Sequence, residues 1–383
     1  MTNDTIRLDN PGQKTPVQEA KVRNSSLELF RIIAMILIIA HHYVVNSGIQ
    51  APMALAPSSP QSMFLYIFGA WGKTGINCFV LITGYFMCKS HITAKKFIKL
   101  LGEIMFYRIV IRSIFMISGY TPFSWTALAK MLIPITSIGS GFPAAFLVFF
   151  LCIPFLNILI RGMNEKQHIR LLLVCLFTYV FLGTVPGFSV TMNYVSWFIV
   201  LYFIASYIRI YDKAIFNNTG LWGLLALAAL VISVASIVVM NLTNHTPTFF
   251  LLESNRILAI VLALCAFMFF KNLKIKTNRF INTVAASAFG VLLIHANGDD
   301  MRHWLWQDVL RNTEMFGSKW LVAHAILSVL GIYIICTVID YLRIKCIETP
   351  FFKLWDKHFN KISDKYLQIE SKVCRKLGIK END

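Results

Sequence analysis

The sequence predicts an all-α integral membrane protein of about ten transmembrane helices, with both termini cytoplasmic. Three observations carry that prediction: a composition too apolar for a soluble chain, apolar runs of bilayer-crossing length, and an alternation of charge between successive loops. Of the 383 residues, 56% are hydrophobic and only 14% charged, and the mean hydropathy is +0.62. A soluble chain of this length has no use for that much apolar surface, whereas one solvated by lipid does.

The net charge of +17 raises the question of nucleic acid. The basic residues, however, sit in short clusters between apolar runs, as in membrane-protein loops, and nucleic-acid binding is excluded on that pattern. The eight cysteines form no C-x-x-C pair and fall mostly inside apolar runs, so they read as packing residues rather than disulfides or metal ligands. No metal site is expected. The polar first two dozen residues lack the apolar core of a cleavable signal, so the first apolar run stays as a membrane span.

Ten runs approach the length needed to cross a bilayer: 27–46, 63–87, 97–118, 142–160, 169–185, 194–211, 221–241, 256–270, 282–298 and 320–342. With the N-terminus inside, the inner segments carry 27 Lys and Arg. The outer loops carry only Lys130, Arg302, Arg311 and Lys319, plus Arg256 at a boundary. That asymmetry fixes the orientation. The chain therefore divides into a cytoplasmic N-terminal segment (1–24), a transmembrane domain (25–350) and a basic tail (351–383). In the tail, Trp355, Phe359, Ile362, Tyr366, Ile369, Val373 and Leu377 recur every three or four residues between lysines, the pattern of an amphipathic helix on the inner leaflet.

A charged group inside a span is costly unless paired or solvated, so each is a functional candidate. They are Glu28, Arg31, His41, His42, Lys73, Glu103, Arg108 and Arg112, with His295 and Glu348 near the ends of later spans. The structural alternative is that Lys73 and Glu103 pair between neighbouring helices while Arg108 and Arg112 line a polar seam.

The run RIIAMILIIAHH (31–42) says more. From Arg31 to His42 is about 1,100° of helical rotation, roughly 20° from three full turns, so the two share a face about 16 Å apart along the axis. His41 points about 100° away, and Glu28 neighbours Arg31 at i,i+3. One face thus offers a cation near the cytoplasm, suited to a phosphate or carboxylate, and an acid/base group deeper in. A histidine there suits removal of a proton from a hydroxyl that must become a nucleophile.

With these residues in view, RNSSLELFRIIAMILIIAHH (23–42) resembles the first span of the acyltransferase-3 family of bacterial membrane acyltransferases, in which an arginine, ten residues and a histidine mark the helix. Arg31 and His42 fit that spacing, and His41 does not. GINCFVLITGYF (75–86) is similar to the family's glycine-rich second span, with Thr83 for the usual serine and Asn77 for a frequent acidic residue. SAFGVLLIH (287–295) is similar to a late motif ending on histidine, and IETPF (347–351) to the closing IERPF, with Glu348 and Pro350 retained. The family's R-x-x-R pair after the second span has its nearest equivalent in Lys96 and Lys99, which keep the charge but lose the bidentate fork.

The resemblance implies acyl transfer, commonly acetyl, from cytoplasmic acetyl-CoA to a hydroxyl of a cell-envelope polysaccharide or its lipid-linked precursor, in the bacterial plasma membrane. Acetyl-CoA is then a donor substrate, and no bound cofactor is implied. The expected catalytic set is His42 as general base with Arg31 and Glu348. The donor would be held by Lys96, Lys99, Arg108 and Arg112, and His295 and Trp304 would lie on the acceptor side. Some family members append an outer esterase-like domain; this chain ends instead in the short inner tail, so it either acts directly or hands the acyl group to a separate extracytoplasmic partner. A secondary transporter of a sugar, polyol or organic anion would also use intramembrane charges, but would carry inverted repeats and broken helices that the sequence lacks. A non-catalytic assembly subunit would leave the registered Arg31/His42 face without a purpose.

Overall fold

The computed structural model describes residues 23–135, 141–188, 190 and 192–359, and every regular element among them is helical. The principal helices are α1 (Ser25–Val45), α2 (Pro60–Met87), α3 (Ala94–Ile117), α4 (Trp125–Met131), α5 (Phe142–Gly162) and α6 (Glu165–Thr184). They continue with α7 (Tyr194–Ile210), α8 (Thr219–Leu242), α9 (Ile257–Asn272), α10 (Arg279–His295), α11 (Asp299–Val309) and α12 (Leu321–Phe359). Nearly all of the N-terminal segment and residues 360–383 of the expected amphipathic tail lie outside the described residues.

All ten expected runs fall on helix, but among the described residues only six helices are long and apolar enough to cross a membrane: α1, α2, α5, α6, α8 and α12. A seventh is formed if α10 and α11, which meet at 96°, count as one broken span. The shortfall from ten has visible causes. Helix α3 is long but carries Lys95, Lys96, Lys99, Glu103, Arg108 and Arg112, and α7 and α9 are only 17 and 16 residues long. The chain is an all-helical, multi-pass membrane protein.

Helix α1 is the centre of the bundle, packed against α2, α9, α10 and α12. Its first turn is set by Asn24, whose side chain accepts from the Ser26 and Leu27 backbone N–H groups, with Glu28 favourably placed on the helix dipole. Ser25 Oγ donates to Asn282 Oδ1 (3.0 Å) and Ser26 Oγ to the Leu273 carbonyl (2.5 Å), tying this end of α1 to the α9–α10 connection. The other end of α1 meets the start of α2. There, a Cβ on Gly72 would lie 2.3 Å from the His41 ring, and one on Gly75 would lie 2.8 Å from the Ala34 carbonyl oxygen. These glycines let α1 and α2 approach so closely, which is why the second span is glycine-rich.

Asn77 completes the joint. It is fully buried, accepts from the Trp197 indole (2.8 Å) and donates to the Ser254 carbonyl (2.7 Å), linking α2 to α7 and to the α8–α9 connection. Asn77 therefore serves packing, and Thr83 bonds back to the Phe79 carbonyl within its own helix. No disulfide exists among the described residues, and Cys78, Cys88, Cys265 and Cys336 are buried.

Adding one methyl at Gly75 must push α2 off the backbone of α1, so Gly75→Ala is expected to cost about 1–3 kcal/mol, the usual penalty of overpacking. Thermal unfolding in detergent checks this: a lowered midpoint is expected, and an unchanged one would mean the helices do not pack so closely.

Candidate active site

Because α1 and α2 run antiparallel, the intramembrane ionisable groups collect at two levels. At one end α1 presents His42 to the C-terminus of α10, where His42 Nδ1 and His295 Nε2 are 2.9 Å apart. His295 is fully buried, and its Nδ1 is 2.6 Å from the Val291 carbonyl one turn back. The carbonyl only accepts, so His295 Nδ1 carries the proton. Among the described residues no carboxylate contacts either ring, and a buried uncompensated imidazolium is costly, so both rings are neutral.

The remaining assignments follow. His295 Nε2 is an acceptor, His42 Nδ1–H is its donor, and His42 Nε2 is left with a free lone pair. His42 itself is only partly buried. A buried histidine, locked by a backbone carbonyl, thus sets the tautomer and tilt of a second, more accessible one.

The neighbouring His41 faces elsewhere, as the helical register requires. Its Nδ1 donates to the Gly69 carbonyl (2.7 Å) while its ring packs on Gly72. Lys73, one turn from that contact, donates to Tyr194 Oη (3.0 Å) and pairs with Glu253 at 3.4 Å. It does not pair with Glu103, which lies near the other end of the bundle.

Arg31 stands lower on α1. It pairs with Glu28 at 2.9 Å, its guanidinium lies 5.7 Å from the Phe79 ring centre, and its buried Nε has no hydrogen-bond partner among the described residues. Phe79 packs against Phe289 (6.4 Å), which precedes His295 on α10 by less than two turns. These two rings therefore link the Arg31 level to the helix that carries His295.

The donor residues expected on α3 do not act as one group. Lys99 and Arg112 are thirteen residues apart, about 20 Å along a helix, so no single headgroup spans them. Lys96 Nζ donates to the His91 carbonyl (2.7 Å) and Lys99 pairs with Glu348 at 2.6 Å, both at the end of the bundle where α1 begins. Arg112 instead pairs with Asp300, and Arg108 Nη2 donates to the Lys130 carbonyl (2.7 Å), both at the histidine end. Trp304 belongs to that end as well, edge-on to Phe115 at 5.9 Å.

Glu348 is not brought to the histidines. It belongs to a buried cluster in which Arg343 contacts Glu103 (3.2 Å), Asp340 (2.7 Å) and Glu348 (2.8 Å), while Tyr107 donates to Asp340 (2.9 Å). Five residues separate Arg343 from Glu348, which in a regular α-helix puts them about 140° apart. The π-helical turn at Ile344–Glu348 widens the helix and carries the carboxylate round beneath the guanidinium.

Sequence reasoning missed Asp340 and Arg343. Asp340 lies inside the last expected span, where an intramembrane carboxylate is itself a signal, and Arg343 passed as a loop cation because it falls just past the last apolar run at 320–342. Removing Arg343 strands three carboxylates against Lys99 alone. Arg343→Met should therefore cost about 3–5 kcal/mol, seen as loss of folded protein in detergent, with Arg343→Lys recovering part of it. Equal stability of wild type and Arg343→Met would contradict this role.

The acyltransferase-3 family model, described as an acyltransferase domain, matches residues 24–341, from the cap of α1 into the last long helix. No curated protein and no solved structure matches the chain. The chain belongs to this family of acyltransferases, and the family match covers both histidines, Arg31 and the four basic residues of α3.

Proposed function

We propose that this membrane acyltransferase is an O-acetyltransferase of the bacterial plasma membrane. It moves an acetyl group from cytoplasmic acetyl-CoA to a hydroxyl of a cell-envelope polysaccharide or its lipid-linked precursor. The observation that carries the reading is the hydrogen-bonded line from the Val291 carbonyl through His295 to His42.

In this mechanism His42 Nε2 takes the proton of the acceptor hydroxyl as its oxygen attacks the thioester carbonyl. The new C–O bond forms, the C–S bond breaks, and the departing thiolate of CoA takes a proton back. His295 holds His42 in the tautomer that has the lone pair available, and it accepts part of the positive charge through the Nδ1–H bond. Positioning a base in its reactive tautomer is a separate contribution from supplying the base.

The basic end of the bundle is the cytoplasmic one on this reading, since most of the lysine and arginine lies there. Arg31, with one buried N–H unused, is suited to a polar group of the donor on its way from that side to His42. Lys96 and Lys99 remain the donor-phosphate candidates, with Lys99 exchanging Glu348 for a phosphate. Glu348, held by Arg343 and Lys99, positions this end rather than touching the reacting atoms.

The test compares wild type, His42→Ala and His41→Gln at equal membrane levels, with envelope glycan acetylation read by mass spectrometry in a strain lacking its own copy. Loss of a positioned general base should lower acetylation about 100-fold or more, while His41→Gln retains it. Equal acetylation in all three would remove His42 from the chemistry, and none in wild type would bring the transporter reading forward. A second measurement separates base from positioner: His295→Phe should lower kcat with little change in the KM for acetyl-CoA. An effect confined to KM would contradict that role.

A further inference from the structure

The outer loops hold very few cations, yet two of them, Lys130 and Arg302, line two adjoining cavities at the histidine end together with the span arginines Arg108 and Arg112. A cavity of about 400 Å3 opens between α3, α4 and the α10–α11 bend, walled by Arg108, Arg112, Lys130, Phe115, Asn297 and Asp300. A second of about 350 Å3 shares Arg108 and Asn297 with it and adds Arg302, Asp299 and Ala296. Ala296 directly follows His295, so these walls begin where the histidine pair ends.

The charges do not cancel. Arg112 pairs with Asp300, and Arg302 pairs with Asp299 at 3.1 Å, an aspartate almost wholly exposed. The walls of the two cavities carry four cations, Arg108, Arg112, Lys130 and Arg302, against two carboxylates, Asp299 and Asp300. The buried Nε of Arg302 has no hydrogen-bond partner among the described residues. The Arg302 charge is also within electrostatic range of both His42 and His295. The positive-inside bias works against cations at this end, so ordinary loop charge does not explain the cluster.

We infer that this cavity binds an anionic group, a carboxylate or a phosphate, carried by the acceptor and set beside the hydroxyl that His42 deprotonates. Arginine forks and a mobile lysine suit either anion, and about 400 Å3 is within the range of small-molecule sites. The identity of the ligand as an acceptor rests on the acyltransferase reading; the anion site rests on the cavity alone. The acceptor would then be an acidic sugar, or a sugar bound through the phosphate of its lipid carrier, and neutral glycans would be poor substrates. Arg108 and Arg112 pass in this way from the donor to the acceptor.

The experiment titrates the full chain in detergent with methyl glucuronide, inorganic pyrophosphate and methyl glucoside by calorimetry. At least one anion should bind about tenfold or more tightly than the glucoside, the value of one charge-assisted hydrogen bond. Lys130→Ala, at an exposed position where folding is safe, should lose about that factor and Lys130→Arg should restore it. Lys319→Ala, which is not among the cavity walls, should leave it unchanged. Binding of the glucuronide alone assigns an acidic sugar, and of pyrophosphate alone a carrier phosphate. Anions that bind no better than the glucoside, or equally well to Lys130→Glu, would overturn the site. Acetyl transfer from labelled acetyl-CoA to a hydroxyl of methyl glucuronide completes the assignment where the glucuronide binds; anion binding without acetyl transfer to any glycan would keep the site and sink the O-acetyltransferase reading.

Discussion

Inside an apolar bundle an imidazole nitrogen has to find a partner, and His295 finds two. Its Nδ1–H is held by the Val291 carbonyl and its Nε2 by His42, so one backbone acceptor decides the protonation pattern of both rings. The arrangement depends on α10 ending at His295 and bending away at 96°, which points the last side chain of a buried helix at the central one. It depends equally on the glycines of α2, because α1 reaches that position only by lying against Gly72 and Gly75.

The other end of the bundle is organised by charge rather than by glycine. Arg343 gathers three carboxylates from α3 and α12, and a π-turn supplies the extra rotation that brings in Glu348. Buried ion pairs of this kind seldom add net stability over apolar packing, but breaking one is severe. Their effect here is to fix how α3 lies on α12, and α3 is the helix whose far end walls the cation-lined cavity. The two ends are thus connected through one helix with basic residues at both levels.

Much of this was legible in the chain. The Arg31/His42 spacing placed a base on the central helix and turned His41 aside, because helical periodicity is local information. The glycine-rich second span was visible as a motif, but neither the close approach at Gly72 and Gly75 nor its partner was read from it. What was not legible depended on distant pairing. Nothing local shows that Lys73 meets Glu253 rather than Glu103, or that the four basic residues of α3 serve opposite ends. Arg343 was overlooked for a related reason, since a charge just past an apolar run reads as loop until the fold buries it, whereas Asp340 lay inside the last run and was readable there. The span count differed because counting apolar runs passes over the six charged residues of α3 and the shortness of α7 and α9.

The most direct measurement is the nitrogen-15 NMR spectrum of histidine-labelled protein in lipid, with His42 assigned by comparison with His42→Gln. The account predicts His42 protonated at Nδ1 and bare at Nε2, and a change in that pattern when His295 is replaced by Phe. A proton on His42 Nε2 in the resting protein would contradict it, since the ring could not then take a proton from an acceptor hydroxyl.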